Sequence, residues 1–476
     1  MAHLTCVGST RNDVGGFLNE ARKRDICNIL ALRGDPPEGQ KQFLKHEGGF
    51  EFSYQLVEYL RTCDNLSIGV EHEKFLFNRN SNKRINFSTV TKLFNYLTRF
   101  GWKPIKEGKK TISLFKNKQS ITLEPGNQIE LSGAKLNSLH LACDESYKFL
   151  NELNQACKSL NLKMMSISFD PFSKLKKVPK TPKQRYEIMT QEMPKNGKLS
   201  LEMMYQTAGT QINLDYTSEK DFSKKFKLIS YLVPLSIGIF ANSPFKESKL
   251  NGYLSYRSRV WQSTSRGGLP KTYLEGMDFE KYADIIVKTP LLFLVINNKH
   301  FNVKNKTFKD FMEGKIKQLK NKRPSNKDLQ NHLSTIFTEV RLKKYLEIRS
   351  LDTCEWSCHC AGPAFYLGLL YENLDAALDV IKNWNVKEVL NAYKEAPKKG
   401  LNTLIKNKSL LEWGKIFLKL SEEGLHKRSI KNTKDIDEAI FLSSIKNILM
   451  NNKTKAEIAI ESFKNKKSFD FLYEKN

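Results

Sequence analysis

The sequence predicts an α+β fold, with a short βα segment ahead of it and a helical region behind. Three observations carry this. Residues 1–65 run strand, helix, strand, loop, helix, the pattern of parallel sheets. Residues 66–360 mix strands, turns and helices, and several strands put polar residues at every second position. Residues 361–476 read as almost wholly helical and end in a Lys-rich tail.

The first unit begins with the strand "HLTCVG", the helix "GFLNEARKRDI", the strand in "CNILALRGDPPEG" and the helix "FEFSYQLVEYLRTC". Next comes "NLSIGVEHEKFLF" (65–77), a strand whose apolar positions are Ile68, Val70, Phe75 and Phe77. "FSTVTKLFNYLTRFG" (87–101) reads as a helix with Ser88 as its N-cap and Gly101 as its stop. "SITLEPGNQIEL" (120–131) is two strands around a Pro-Gly turn. "SLHLACDESYKFLNELNQACKSLNL" is a long amphipathic helix.

The chain has 476 residues, room for about two or three domains. No apolar run is long enough for a membrane span. The N-terminus has no basic region followed by a long apolar stretch, so the default expectation is a cytoplasmic protein. The formal charge of +27 is spread along the chain rather than gathered in one helix or tail. That spread fits a solvated surface that attracts anionic substrates better than specific nucleic-acid binding. Of eight cysteines, Cys6, Cys27, Cys63, Cys143 and Cys157 sit among apolar residues and read as reduced, packed thiols. Cys354, Cys358, His359 and Cys360 cluster in "DTCEWSCHC". That spacing is not a standard zinc pattern, and small residues at a helix entry explain it as well.

Side chains alternate faces along a strand, so Glu71 and Glu73 point the same way. Glu124 and Glu130 flank the "PGN" turn, where a hairpin brings both to one surface. Gln211, Asn213 and Asp215 alternate likewise, as do Glu347 and Arg349. One such strand is ordinarily a half-solvated sheet edge. Four together form a crowded carboxylate face that repels itself unless cations neutralise it. Oxygen-ligated Mg²⁺ bridging carboxylates to phosphates is the natural answer, with Arg349 as a fixed fork for a phosphate. No G-x4-G-K-[ST] loop is present. Arg257 and Arg259 in "GYLSYRSRVWQ" read as alternating on one side, where either clamps a carboxylate.

"IGVEHEKF", "TLEPGNQIELSGA", "MMYQTAGTQINLDY", "SPFKESKLNGYLSYRSRVWQ", "HLSTIFTEVRLKKYLEIRSLD" and "PAFYLGLLYENL" occur in this order. Together they resemble the plant and proteobacterial type of glutamate–cysteine ligase. The resemblance implies a glutamine-synthetase-like antiparallel catalytic sheet with surrounding helices. It implies ATP-dependent joining of the γ-carboxylate of L-glutamate to L-cysteine through γ-glutamyl phosphate, the first step of glutathione synthesis. It implies Mg²⁺ ions, about two or three, as cofactor. By motif, Glu71, Glu73, Glu124, Glu130 and Glu347 match metal-binding carboxylates, and Gln211 falls where relatives use a histidine. Arg349 matches the arginine that meets nucleotide phosphates, with Arg266 in a nearby loop. Arg257 matches the group for the α-carboxylate of glutamate, with Arg259 second, and Met203, Met204, Trp261 and Asn213 line the substrate pockets. The resemblance leaves a monomer or a homodimer open. Thr338 stands where the family usually has proline, and the "WQSTSRGGLPK" loop is shorter than usual.

Residues 1–65 resemble methylenetetrahydrofolate reductase instead, a flavin-bearing β/α barrel of the TIM type. Its strands are matched at 3–6, 28–32 and 66–70, and Asp35 in "ALRGDPP" matches a flavin-site aspartate. Three βα units cannot close an eight-stranded barrel, so no FAD is expected. The sequence therefore divides into a reductase-like fragment (1–65), a ligase catalytic domain (66–360) and a helical region (361–476). Two alternatives stay open: a γ-glutamyl ligase with another amine acceptor, and an inactive ligase body carrying a flavin- or folate-binding interaction module.

Overall fold

The computed structural model describes residues 2–24, 26, 29–36, 45, 47–297, 299–319 and 322–474. The chain divides into two compact units, Met1–Leu66 and Ser67–Asn476.

In the first unit, β1 (Ala2–Thr5) and β2 (Ile29–Leu32) pair in parallel. Helix α1 (Arg11–Lys23) lies between them in sequence, and α2 (Ser53–Asn65) follows. Thr10 and Asp13 cap α1 reciprocally: Thr10 N–H donates to Asp13 Oδ2 at 2.8 Å and Asp13 N–H to Thr10 Oγ1 at 3.2 Å. Leu4, Cys6, Val14, Leu18, Phe50, Leu56 and Leu60 form a small core. Leu30 and Leu32 remain 42% and 38% exposed, because two strands cover little apolar surface. Cys27 and Asn28 lie outside the described residues. The expected third barrel strand is not one: Ile68–Val70 open a strand of the other unit, with antiparallel neighbours.

That strand, β3 (Ile68–Asn78), is central to a nine-stranded sheet. The others are β4 (Lys103–Glu107), β5 (Lys110–Lys116), β6 (Gln119–Leu123), β7 (Ile129–Ser132), β8 (Leu162–Met165), β9 (Gly209–Leu214), β10 (Val340–Leu342) and β11 (Leu346–Asp352). The order is β10-β11-β9-β3-β7-β6-β5-β4, with β8 beside the far half of β3, and every pairing is antiparallel.

Helices cover one face. Ile68, Val70, Ile212, Leu214, Val340 and Ile348 pack in one core with α7 (Glu219–Phe240) and with the helices Ala361–Leu367, Val386–Lys399 and Leu410–Arg428. The helical region after residue 361 thus shares its core and its compact unit with the sheet. Leu76, Ile121, Leu123, Ile129 and Leu131 pack against α3 (Phe87–Leu97) and α4 (Leu139–Ser159). Burying each such side chain is worth about 1.5–3 kcal/mol. Helix α3 is capped not by Ser88 but by Asn86, whose Oδ1 accepts from Thr89 N–H at 2.9 Å. Gly101, at φ 87°, ends the following 3₁₀ turn, a left-handed conformation that favours glycine.

The apolar positions of β3 change faces midway. Ile68 and Val70 join the helix-covered core, whereas Phe75 and Phe77 join the opposite cluster with Phe463, Phe469 and Tyr473. Between them, His72 and Lys74 are buried on the helix side. His72 stacks on His359. Lys74 Nζ donates to Ser166 Oγ at 2.6 Å, Cys354 O at 2.8 Å and Glu474 Oε1 at 2.7 Å. Glu71 and Glu73 are left on the other face.

Cys143, expected as a reduced thiol, is bonded to Cys360, and Cys354 to Cys358. Disulfides thus account for the cysteine cluster, where the spacing left zinc and a small-residue turn as the options. Cys6 and Cys157 are buried free thiols. No helix among the described residues is long and apolar enough to cross a membrane.

Candidate active site

Register assembles the polar face. Glu73 lies opposite Glu130, and Glu71 opposite Gln211. Asn213 lies opposite Glu347, and Glu347 opposite Arg341. Cross-strand partners share a face, so six strands contribute to one polar surface once Thr122 opposite Glu130 is added. Glu124 sits in the β6–β7 turn, where its N–H donates to Gln128 O at 3.0 Å.

Two halves of opposite charge result. In the first, burial pushes Glu71 up to about 7, helped by Glu130 and Glu347. Burial and then Glu124 push Glu130 up to about 7. Glu73 is raised well above the usual carboxylate range by burial, then by Glu124 and Glu130. Backbone and amide donors hold the set in place. Asn213 Nδ2 donates to Glu71 Oε1 at 2.8 Å, Gly209 N–H to Glu73 Oε2 at 2.7 Å and Gln211 Nε2 to Glu73 Oε1 at 3.2 Å. Thr122 Oγ1 donates to Glu130 Oε2.

In the second half, Glu347 is fully buried among cations. Arg341 NH2 and Arg349 NH1 both donate to its Oε1 at 2.8 Å, and Lys343 Nζ lies 3.4 Å from Oε2. Burial raises its pKa, but Arg341, Arg349 and Lys343 outweigh this and hold it far below the usual range. Arg349 also donates to Gln211 Oε1, so Gln211 links the two halves through both ends of its amide.

The expected residues sort as follows. Glu71, Glu73, Glu124, Glu130, Gln211, Asn213, Glu347 and Arg349 come together. Arg257 reaches the same region, donating through NH2 to Arg349 O at 2.8 Å. Arg259 does not share its side. Tyr256–Trp261 is a helix, α8, not a strand, so residues two apart diverge, and Arg259 bonds Ser263 Oγ. Arg266 is bound to Thr335 O at 2.8 Å, Thr335 Oγ1 at 2.7 Å and Pro290 O, a loop-holding arrangement away from the carboxylates. Met203 and Met204, on α6 (Ser200–Gln206), pack with Trp261 in an apolar cluster beneath α8.

Four charged residues at the site escape sequence reading. Glu339, Arg341 and Lys343 alternate with Val340 and Leu342 in "TEVRLKKY", and Lys183 stands in "TPKQRYEI", which has no such alternation. Lys183 precedes α5 (Gln184–Glu192), and its Nζ donates to Leu123 O at 2.9 Å. Burial pulls it down to about 8, and Glu124 opposes this. The alternation of Glu339, Arg341 and Lys343 was the available signal, and Lys183 carried none.

Do these donors suit Mg²⁺? Among the described residues no three acidic, His or Cys side chains form a preformed cage. Mg²⁺ is ordinarily held by one or two carboxylates plus substrate phosphates, not by an all-protein cage. Glu71, Glu73 and Glu124, half-buried, and Glu130, buried, repel one another and fit that mode. Glu347 does not, since protein cations already surround both its oxygens.

Residues 67–464 match the model of glutamate–cysteine ligase family 2. Residues 1–73 match that of methylenetetrahydrofolate reductase, so the two overlap on the first half of β3. Over 418 residues the chain is 39% identical to the chloroplastic glutamate–cysteine ligase of Arabidopsis thaliana, covering 86% of this chain and 79% of that one. Over 431 residues it is 38% identical to the chloroplastic enzyme of Solanum lycopersicum, covering 88% and 81%. A Francisella tularensis glutamate–cysteine ligase solved with AMP shares the fold, with a TM-score of 0.52 at 11% identity over 86% of each chain. The cytoplasmic expectation does not stand, because these plant relatives are chloroplastic. The antiparallel sheet with its surrounding helices is a glutamine-synthetase-like fold, and the chain belongs to the glutamate–cysteine ligase family.

Proposed function

We propose that the protein joins the γ-carboxylate of L-glutamate to the amine of L-cysteine with ATP as co-substrate, through γ-glutamyl phosphate. The observation that carries this is the divided polar face: buried carboxylates beside Arg341, Lys343 and Arg349. A carboxylate is a poor acyl donor. Its oxygen attacks the γ-phosphorus of ATP, breaking the bond to ADP and leaving an acyl phosphate. The cysteine amine then attacks the acyl carbon, phosphate departs and one proton is lost.

Each half of the face has a share in this. Glu71, Glu73, Glu124 and Glu130 would hold Mg²⁺, which supplies neutralisation of the crowded phosphate oxygens. Arg349 and Lys343 present fixed positive charge where the phosphoryl group moves. Glu347 keeps Arg341 and Arg349 in one orientation, so that charge is in place before substrate arrives. Arg257 takes the α-carboxylate of glutamate, and Met203, Met204 and Trp261 give the apolar wall beside it.

ADP release from ATP and Mg²⁺ should require glutamate and cysteine together. No release at millimolar concentrations of both would overturn the assignment. Full release with another amine in place of cysteine would shift it to a different acceptor.

A further inference from the structure

We infer that Glu339 reads the α-ammonium group of the glutamate substrate, next to the Arg257 that takes its α-carboxylate. The inference rests on the ligase reading of this site and names a specificity residue within it.

The backbone aims Glu339 at the site. Arg349 N–H donates to Glu339 O at 2.9 Å, which sets the two residues side by side. Val340 packs in the core against the helices and Arg341 faces the polar side, while Glu339 stands just ahead of β10 at the strand's end. One carboxylate oxygen, Oε1, accepts from Tyr393 O–H at 2.9 Å. The other, Oε2, has no partner, although the residue is only 1% exposed.

It is not alone in this. Arg257 Nε and NH1, Arg349 Nε and Trp261 Nε1 are also buried without hydrogen-bond partners. The Arg257 and Arg349 guanidinium carbons lie 5.0 and 5.2 Å from the centre of the Trp261 ring, which gathers these donors around one indole. Burial raises the pKa of Glu339, and Arg257, Tyr393 and Arg349 oppose that rise, so both guanidiniums act on its carboxylate. Each unmet buried group gives up its bonds to water without replacement. Such a set is expensive unless a ligand completes it.

Charge identifies the ligand class. Arg257, Arg349 and Arg341 stand against Glu339, Asp352 and Glu347, with Asp352 3.9 Å from Arg257 NH1 and Glu347 2.8 Å from Arg349 NH1, three cations against three anions. A balanced site suits a group that brings one charge of each sign, the carboxylate and ammonium of an amino acid. Of the two amino acids, the cysteine amine must be neutral to attack, and a carboxylate beside it would hold it protonated. The glutamate ammonium takes no part in bond making, and it gains from a buried counter-charge.

The test uses the full chain with glutamate and with glutarate, which lacks only the amine. Wild type should favour glutamate by about a hundredfold or more in kcat/KM, because unpaired buried groups penalise the analogue. Glu339→Gln should raise the glutamate KM about tenfold or more, leave kcat and the ATP KM within about twofold, and collapse the preference over glutarate. A Glu339→Asp variant should keep part of the preference. Melting-temperature shifts with glutamate and glutarate read binding apart from turnover. Wild type accepting glutarate nearly as well as glutamate would overturn the inference without any variant. So would Glu339→Gln keeping the full preference. Absence of ADP release with glutamate and cysteine would instead overturn the ligase reading, and the inference with it.

Discussion

The first unit and the second are built from the same ingredients, short apolar strands and amphipathic helices, yet they bury them very differently. Among the described residues of Met1–Leu66 seven make the core and two strands pair, with Leu30 and Leu32 left partly in water. In Ser67–Asn476 nine strands are covered by helices on one face and free to hold charge on the other. The contrast shows what a polar face requires. Carboxylates pushed up to about 7 by burial and repulsion are a cost that a large core absorbs and a small one cannot.

Breaking the carboxylate face is the sharpest way to probe this contrast. Glu73→Gln keeps an acceptor for Gly209 N–H but removes the charge, and it should lower kcat by about a hundredfold or more while the melting temperature rises, because repulsion by Glu124 and Glu130 is relieved. Near-full turnover would remove the metal role from β3. Next is the buried ion pair of the same unit. Arg84 NH1 lies 3.1 Å from Asp170 Oδ2, both are buried, and the guanidinium lies 4.4 Å from the Phe75 ring centre. Arg84→Met strands Asp170 and should cost about 3–5 kcal/mol in denaturant unfolding. A cost near zero would show that the pair is replaceable.

A smaller effect tests how dry the second unit is. Burial holds His332 at about 4, and its Nε2 lies 2.9 Å from Ile286 O. The unfolded chain takes up a proton near its ordinary value of about 6.5, well before the folded one does. The stability contribution is thus complete above that value and is lost as pH falls from about 6.5 to about 4, at most about 3 kcal/mol. His332→Gln should lose less melting temperature across that interval than wild type; an equal loss would place the acid sensitivity elsewhere. The smallest effect is expected at the first unit. Removing residues 1–66 should leave kcat within about twofold. Complete loss from a folded protein would make the first unit integral to the ligase.

Much of this was legible in the chain, for physical reasons. Period-two alternation placed Glu71 with Glu73, and a Pro-Gly turn placed Glu124 near Glu130, because both are local geometry. The same rule failed at Arg257 and Arg259, where a six-residue helix replaces the expected strand. Too short for a periodic signal, it could not be told from extended chain. Asn86 displaced Ser88 by two residues, since several residues there can cap. The Cys143–Cys360 bond joins residues 217 apart, and no local pattern reports such a partner. The role of Glu339 was invisible for a similar reason, because its meaning lies in Arg257, Trp261 and Tyr393 from other elements.

The Lys74–Glu474 pair carries a consequence for how the protein is made. Its members are 400 residues apart, and one of them adjoins Glu73. At an elongation rate of about 5–20 residues per second, the ribosome needs at least about 20 seconds to add the intervening chain. Through that interval Lys74 can reach the Ser166 hydroxyl and then the Cys354 carbonyl but no carboxylate, so the central strand completes its charge pairing only once residue 474 has emerged. Nascent chains halted short of Glu474 would therefore carry Glu71 and Glu73 without the ion pair buried beside them.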